Sequence, residues 1–281
     1  MNGEKSGDWL DFRREGESGI ESVSAHFTGH AYDPHDHDEV LVGFTQQGVQ
    51  RFRCHRALHT SSPGRAILIE PGAVHDGHAP DTDGFTYSML YLPQAWVSTQ
   101  LAQRGLADIS LIEAAFRHTL TDDVALFCAI QQTFYAFHHQ EGKLARDQSM
   151  DRLLGLLTRH IKVASPSQKS DTLLHMQRIR EILHERMAED IGLDELSRLA
   201  GIDRFRLSRQ FSKAFGQTPH AYLVRLRLRS ARALLAHGRE PALVAAEVGF
   251  ADQSHLGRWF QRAYRMSPAA FQQQCTNVLS R

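Results

Sequence analysis

Apolar and polar residues alternate through residues 20–95. Turn-formers interrupt the alternation at Asp33-Pro34, Gly43, Gly48, Pro63-Gly64, Pro71-Gly72 and Asp83-Gly84. This period of two predicts strands over Glu39–Phe44, Val49–Cys54, Ala66–Ile69 and Phe85–Leu92, at spacings suited to a small barrel or sandwich. After Pro93 the period lengthens to that of a helix. Leu120–His138 carries Val124, Phe127, Cys128, Gln131 and Tyr135 near helical spacing, and Asp151–Ile161 carries Leu153, Leu154, Leu156, Leu157 and Ile161. Val163–Ser170 is small and polar and contains proline, as a linker does. From Asp171 onward the pattern is helical throughout. It predicts Leu173–Met187, Leu193–Ala200, Arg204–Phe215 and Ala221–Leu235, with breaks at Gly201, Gly216-Pro219 and His237-Gly238.

The helical half contains a repeat. Asp203, Leu207, Arg209, Phe211, Phe215, Pro219 and Tyr222 recur 49 residues later as Asp252, Leu256, Arg258, Phe260, Tyr264, Pro268 and Phe271. Just upstream, Ala200-Gly201-Ile202 recurs as Val248-Gly249-Phe250 at an offset of 48, and the turn absorbs the missing residue. Each unit is a short helix, a glycine turn and a second helix capped by aspartate; Pro241 opens the short helix of the second unit. That is the helix-turn-helix plan. Leu207 and Phe211, and likewise Leu256 and Phe260, are placed i, i+4 to pack inward. Phe205, Ser208, Arg209 and Ser212 then face outward in the first unit, and Ser254, Gly257, Arg258 and Gln261 in the second, with Gln253 and His255 near its tip. An outward arginine on a helix in a major groove can pair with guanine, and glutamine with adenine. The bland alternative is the solvated face of a helical bundle.

Charge sharpens the contrast between the halves. The 281-residue chain is formally neutral, with 32 basic and 32 acidic residues. Residues 1–170 carry 15 Lys+Arg against 21 Asp+Glu, or 15 − 21 = −6, and residues 171–281 carry 17 against 11, or 17 − 11 = +6. A basic half suggests a polyanionic partner for that end only; Lys213, Arg225, Arg227, Arg229, Arg232 and Arg262 are the candidates to neutralise phosphates. No apolar run approaches membrane-spanning length, and MNGEKSGDWLDFRREGESG lacks the apolar core of a secretory signal. Cys54, Cys128 and Cys275 are too few and too scattered for a disulfide framework or a zinc motif, which suits a reducing cytoplasm.

The stretches LSRQFSKAFGQTPHAYL and AAEVGFADQSHLGRWFQRAYRMSPAAF closely resemble the AraC/XylS-type transcription regulators over residues 172–274. The resemblance implies seven helices, with two helix-turn-helix units joined by a long helix at about Ala221–Leu235. It puts base contacts on Phe205, Ser208 and Arg209 in the first unit, and on Gln253, Ser254, His255 and Arg258 in the second. Gly257 departs from the family pattern, since many relatives carry a base-touching side chain there.

Histidine is concentrated in the other half, with twelve of 17 before residue 171. In an extended strand His35, His37 and Glu39 would share a face, and His75 follows the Pro71-Gly72 turn. Three imidazoles converging inside a barrel would bind zinc, iron, manganese or nickel. Gly29-x5-His35-x-His37 and Gly64-x6-Pro71-Gly72-x2-His75 resemble the two cupin motifs, specifically those of the sensor domain attached to many AraC-type regulators. Metal-bearing cupin enzymes usually add a carboxylate four or five residues after the second histidine, where this chain has Leu41 and Val42. A metal-free effector pocket, a three-histidine metal site and ordinary hydrogen-bonded histidines all remain open. Arg51, Arg53 and Tyr87 are further candidates to line the pocket, and Asp76 and His78 to stand at its mouth.

Together these readings predict an α+β chain: a cupin-like effector-binding β-barrel over 1–100 with flanking helices, a helical dimerisation or cover segment over 101–162, a linker over 163–171, and an all-α DNA-binding domain with two helix-turn-helix units over 172–274. The expected protein is a cytoplasmic, sequence-specific transcription regulator and not an enzyme. Its expected partners are double-stranded DNA, a small-molecule effector, RNA polymerase and a second copy of itself, with no membrane. Activation is the commoner outcome the resemblance implies. The rivals are a cupin metalloenzyme, or a metal or redox sensor, carrying a DNA-binding tail.

Overall fold

The computed structural model describes residues 7–103, 115–162 and 171–276. The expected linker over 163–170 lies outside the described residues. The described residues divide into two compact units, one within 7–162 and the other within 171–276.

The first unit is built on two antiparallel sheets. One has six strands in the order β1 (Trp9–Arg14), β2 (Glu21–Phe27), β9 (Phe85–Leu92), β4 (Val40–Gly48), β7 (Ala66–Ile69) and β11 (Leu120–Thr121). The other orders β3 (His30–His35), β8 (His75–His78), β5 (Gln50–Cys54) and β6 (Ala57–Ser61). A short pair, β10 (Ala115–Phe116) with β12 (Ile161–Lys162), stands apart.

Period-two alternation gives the large sheet two different faces. Val40, Val42, Phe44, Ala66, Leu68, Leu90 and Leu92 join one apolar cluster with α1 (Gln94–Gln103), α2 (Val124–His138) and α3 (Lys143–Leu157). Phe27, Phe85, Tyr87 and Tyr91 belong to the opposite face, where Phe27 and Tyr87 meet Tyr32 of the smaller sheet and Tyr91 meets His37 in the loop after it.

The helices after Pro93 therefore cover the sheet. Their buried stripe is Leu126, Ala129, Ile130, Phe134 and Phe137, continued by Leu153, Leu154 and Leu157. Of the stripe expected from Val124, Phe127, Cys128, Gln131 and Tyr135, Phe127 does pack on the cluster, its ring 5.5 Å from that of Phe44, but Val124 is 68% exposed and Tyr135 39%. Thr133 weakens the true face in a hydrophobicity count yet is fully buried, its hydroxyl satisfied by the Ala129 carbonyl at 2.8 Å.

The second unit has seven helices among its described residues: α4 (Asp171–Glu185), α5 (Leu193–Ala200), α6 (Arg204–Phe215), α7 (Pro219–Ala236), α8 (Pro241–Glu247), α9 (Gln253–Tyr264) and α10 (Pro268–Thr276). Met176, Ile179, Leu183, Leu196, Leu207, Phe211 and Leu223 form the core of its first half. In the second half Leu256, Phe260 and Phe271 are buried. α5 ends at Gly201, whose φ of 63° turns the chain into α6, and α6 ends at Gly216 with φ of 76°.

Candidate DNA-reading surface and histidine cluster

The two repeats fold alike. Asp203 caps α6 by accepting from the Arg206 backbone N–H at 2.8 Å, and Asp252 caps α9 by accepting from that of His255 at 2.6 Å. Leu207, Phe211, Leu256 and Phe260 are all fully buried. Burying those i, i+4 pairs turns the intervening residues outward. Phe205 is 75% exposed, with the Arg204 guanidinium 5.1 Å from its ring centre. Arg209, Gln253, Ser254 and Arg258 are exposed, while Ser208 and His255 are half-buried. Trp259 Nε1 donates to His255 Nε2 at 3.0 Å, and Phe250 packs edge-on against the same imidazole. His255 is thus held by its neighbours, and Trp259 is a member of this surface that the repeat did not reveal. A Cβ built on Gly257 meets nothing within 4 Å, so that position is open.

The basic residues expected on phosphates fall into two groups. Lys213 and Arg262 are exposed, and Arg262 lies 5.7 Å over the Trp259 ring. The arginines of α7 are drawn inward. Arg225 Nη1 donates to the Gln217 carboxamide oxygen, and Arg229 is half-buried. Arg227 donates from Nε to the Met187 carbonyl and from Nη2 to that of Glu189, both at 2.8 Å. Burial lowers the Arg227 pKa. Arg232 is only 8% exposed and lies 5.7 Å from the Tyr264 ring and 5.2 Å from that of Phe271. The phosphate-facing expectation is corrected for Arg227 and Arg232. α7 is the central helix of this unit and packs on several others, so little of its circumference faces solvent.

In the first unit three histidines meet. His35 ends β3 and pairs directly with His75, which opens β8. His37 joins them because the Gly72 backbone N–H donates to the His37 carbonyl at 2.7 Å, tying the Pro71-Gly72 turn to the loop after β3. The ring centres lie 4.7 Å (His35–His37), 4.6 Å (His35–His75) and 5.4 Å (His37–His75) apart. One ring nitrogen from each lies within 4.8 Å of the others, and all three residues are buried.

His35 Nδ1 sits 2.9 Å from the Asp33 carbonyl, and His75 Nδ1 sits 2.9 Å from that of Ala73. A carbonyl only accepts, so both Nδ1 atoms carry the proton and both Nε2 atoms keep a lone pair. In the neutral ring that tautomer leaves Nε2 as the nitrogen able to ligate a divalent metal, and the carbonyls are the outer-shell partners that fix it. The donor set fits zinc, cobalt, nickel, iron or manganese.

Other residues expected at this site fall elsewhere. Glu39 is half-buried and stands outside the metal-competent group found among the described residues. His35 and His37 do come together, but not with Glu39 on one extended strand, because β3 stops at His35, β4 begins at Val40 and the chain bends at Asp38-Glu39. Arg51 and Arg53 occupy the exposed positions of β5, whose inward positions are Gln50, Phe52 and Cys54. The two arginines therefore do not line the interior. Asp76 accepts from the Arg53 backbone N–H at 2.6 Å, a structural bond on the flank.

Tyr87 is buried and packs against Tyr32, whose ring lies 6.4 Å from Tyr87 and 5.0 Å from His35. Tyr32 receives a hydrogen bond from Gln50 at 3.0 Å, and Tyr91 packs 5.0 Å from His37. Burial raises the hydroxyl pKa of both Tyr32 and Tyr87. Sequence reasoning missed Tyr32, Gln50 and Tyr91. Tyr91 was findable, since it shares the period-two face of Tyr87 and Met89.

Comparison with known proteins agrees with both halves. Residues 17–183 match the AraC-like ligand binding domain family, and residues 196–274 match a helix-turn-helix domain family. The uncharacterized HTH-type transcriptional regulator YbfI of Bacillus subtilis is 27% identical over 229 residues, covering 79% of this chain and 80% of its own. The probable transcriptional regulator LumQ of Photobacterium leiognathi is 26% identical, over 86% of this chain and 91% of its own. ToxT from Vibrio cholerae shares the fold, with a TM-score of 0.55 over 98% of this chain and 100% of its own at 11% identity. Among the described residues no helix is long and apolar enough to cross a membrane. With a ligand-binding β-domain matched across more than half its length and a duplicated, capped helix-turn-helix after it, the chain belongs to the AraC family of DNA-binding transcription regulators.

Proposed function

We propose that this regulator reads a bipartite operator with α6 and α9. The carrying observation is that Arg209 and Arg258, at matching places in the repeat, are both exposed on helices whose opposite edges are buried. Arg209 and Arg258 pair with guanine, Gln253 with adenine, and Phe205 makes apolar contact with a thymine methyl. Ser208, Ser254 and His255 complete the contact set, while Lys213 and Arg262 hold phosphates. Arg225 and Arg229 reach the backbone only by leaving their half-buried places. The two half-sites lie about one helical turn, 10–10.5 bp, apart.

The first unit senses a small molecule at the His35, His37 and His75 cluster, with Tyr32, Tyr87, Tyr91 and Gln50 around it. An effector with different affinity for two arrangements of the chain shifts the population able to engage both half-sites. The protein acts in the cytoplasm as a homodimer, activates transcription through RNA polymerase, and catalyses no reaction of its own.

A second reading, favoured by the histidine tautomers, gives the cluster a divalent metal. His35, His37 and His75 would hold it through one nitrogen each. The metal would supply a Lewis-acidic point for an oxygen ligand, and the tyrosines would shield that ligand from water.

Selection of bound fragments from genomic DNA, with and without metabolites, tests the main reading. A two-part motif whose occupancy responds to one compound is expected. Recovery of no motif under any condition would overturn it.

A further inference from the structure

α7 grips both helix-turn-helix units, and it does so with arginine. Arg227 forks onto the carbonyls of Met187 and Glu189, in the turn between α4 and α5. From the same face of α7, Ser230 Oγ approaches Met187 Sδ at 3.3 Å. Arg186 extends the grip from that turn to the first helix-turn-helix, with ion pairs of 2.6 Å to Glu189 and 2.7 Å to Glu195 on α5.

Arg232 sits five residues further along α7, about 140° around the axis at about 100° per residue. It therefore faces the other unit, where its guanidinium covers Tyr264 at the end of α9 and Phe271 on α10. The second helix-turn-helix also abuts the α4–α5 turn directly. Gly249, in the turn of the second unit at φ +86°, lies so near the α4–α5 turn that a Cβ there would stand 2.7 Å from the Ala188 carbonyl oxygen. The turn at 187–189 is thus held by α7 on one side and abuts the second unit on another.

We propose that Arg227 and Arg232 are positioning residues that set the distance and phase at which α6 and α9 read their two half-sites, and that neither is a phosphate contact. This rests on the bipartite reading of DNA proposed above. A forked guanidinium fixes direction as well as distance, and a guanidinium over two rings fixes the roll of the helix that bears them. Neither constraint survives replacement by an ammonium on a flexible stem.

The test uses the full chain and fluorescence anisotropy on duplexes carrying the selected operator. The spacer between half-sites is lengthened or shortened by one or two base pairs, and a single half-site and a random duplex serve as references. Wild-type protein should lose about tenfold or more in affinity when the spacer changes by two base pairs, since the second helix is carried out of phase with its groove. Arg227→Met and Arg232→Met should bind the single half-site within about twofold of wild type, yet show a spacer penalty below about threefold. Arg227→Lys and Arg232→Lys should behave like the Met variants. The proposal is overturned if the Met variants keep the full spacer penalty. It is also overturned if binding to every duplex falls alike, the salt slope drops by about one, and Lys restores it, because that is the signature of a phosphate contact. Where a Met variant is unfolded by circular dichroism, the Lys variant is read. Loss of fold in both assigns the arginines to stability alone and overturns the proposal. Absence of any two-part site for wild type overturns the underlying reading as well, and is seen before any variant is made.

Discussion

Asp203 and Asp252, 49 residues apart, perform one task twice: each accepts a hydrogen bond from the backbone N–H three residues on, at 2.8 and 2.6 Å. An aspartate there satisfies an orphan donor and places negative charge at the positive end of the helix. Asp203→Ala or Asp252→Ala should each cost about 1 kcal/mol of stability in the second unit. Chemical denaturation of the full chain, followed by a probe in that unit, measures it; an unchanged midpoint in both variants would contradict the capping role.

Arg209 and Arg258 should be separable from Lys213 and Arg262 by the kind of DNA each variant loses. Arg209→Ala and Arg258→Ala should cost about 1–3 kcal/mol on the operator and relax preference at one half-site each. Lys213→Ala and Arg262→Ala should weaken operator and random DNA alike and reduce the salt slope by about 0.9 each. Equal loss on both DNAs for Arg209→Ala would sink its base-reading assignment.

One substitution should have opposite signs at two glycines of the second repeat. Gly257 is mid-helix with open space around its Cβ position, so Gly257→Ala should stabilise by about 0.5–1 kcal/mol. Gly249 has φ +86° and Ala188 backbone atoms at 2.7–2.9 Å from its Cβ position. Gly249→Ala should therefore destabilise by about 3 kcal/mol or more, summing left-handed strain and overlap. Thermal melts of the two variants decide it, and the same direction of shift in both would be a failure.

The histidine cluster makes a simple spectroscopic demand. Protein stripped of metal and titrated with cobalt(II) should develop visible absorption at one equivalent per chain if one ring nitrogen from each of the three histidines converges on a metal. His35→Ala, His37→Ala and His75→Ala should each abolish it, while His78→Ala leaves it intact. Absorption that never saturates, or that survives all three changes, would rule out the metal reading and leave the effector pocket standing.

His55 gives a pH signature. Its Nε2 lies 2.7 Å from a Glu70 carboxylate oxygen. The Cys54 side chain first, and Glu70 next, push its pKa from 6.5 up to about 10. A raised histidine pKa means the folded chain holds the proton more tightly than the unfolded one. The contribution is therefore complete below about pH 6.5 and fades as pH rises toward about 10. Glu70→Gln should lower the melting temperature near pH 6 and make little difference near pH 10. A constant offset across that window would contradict the coupling. His55 is half-exposed, so solvent screening keeps the effect small.

Legibility differed between the halves for a physical reason. In the second unit the rules that decide structure are local: an aspartate cap, an i, i+4 apolar pair, a glycine in the left-handed region. Each is written within a few residues, and the 49-residue repeat states it twice. In the first unit, β4, β5, β7 and β9 were visible from alternation or continuous apolar runs. β2 was not: its sequence ESVSAHF is polar on paper, yet Glu21, Ser22 and Ser24 are buried. Ser22 is satisfied there by His138 Nδ1 at 3.0 Å, a partner 116 residues away on α2.

The sequence by itself determined that a β-rich histidine-bearing half precedes a duplicated helix-turn-helix with an outward arginine in each copy. Those features follow from hydrophobic period and from capping chemistry, which act over a turn or two of chain. Only the tertiary structure decided which face of α2 lies on the sheet, that Arg51 and Arg53 turn away from the interior, that His37 is carried to His75 by the Gly72 bond, and that Arg227 and Arg232 hold helices together. Each of these depends on what a side chain meets across a distance the local pattern does not encode.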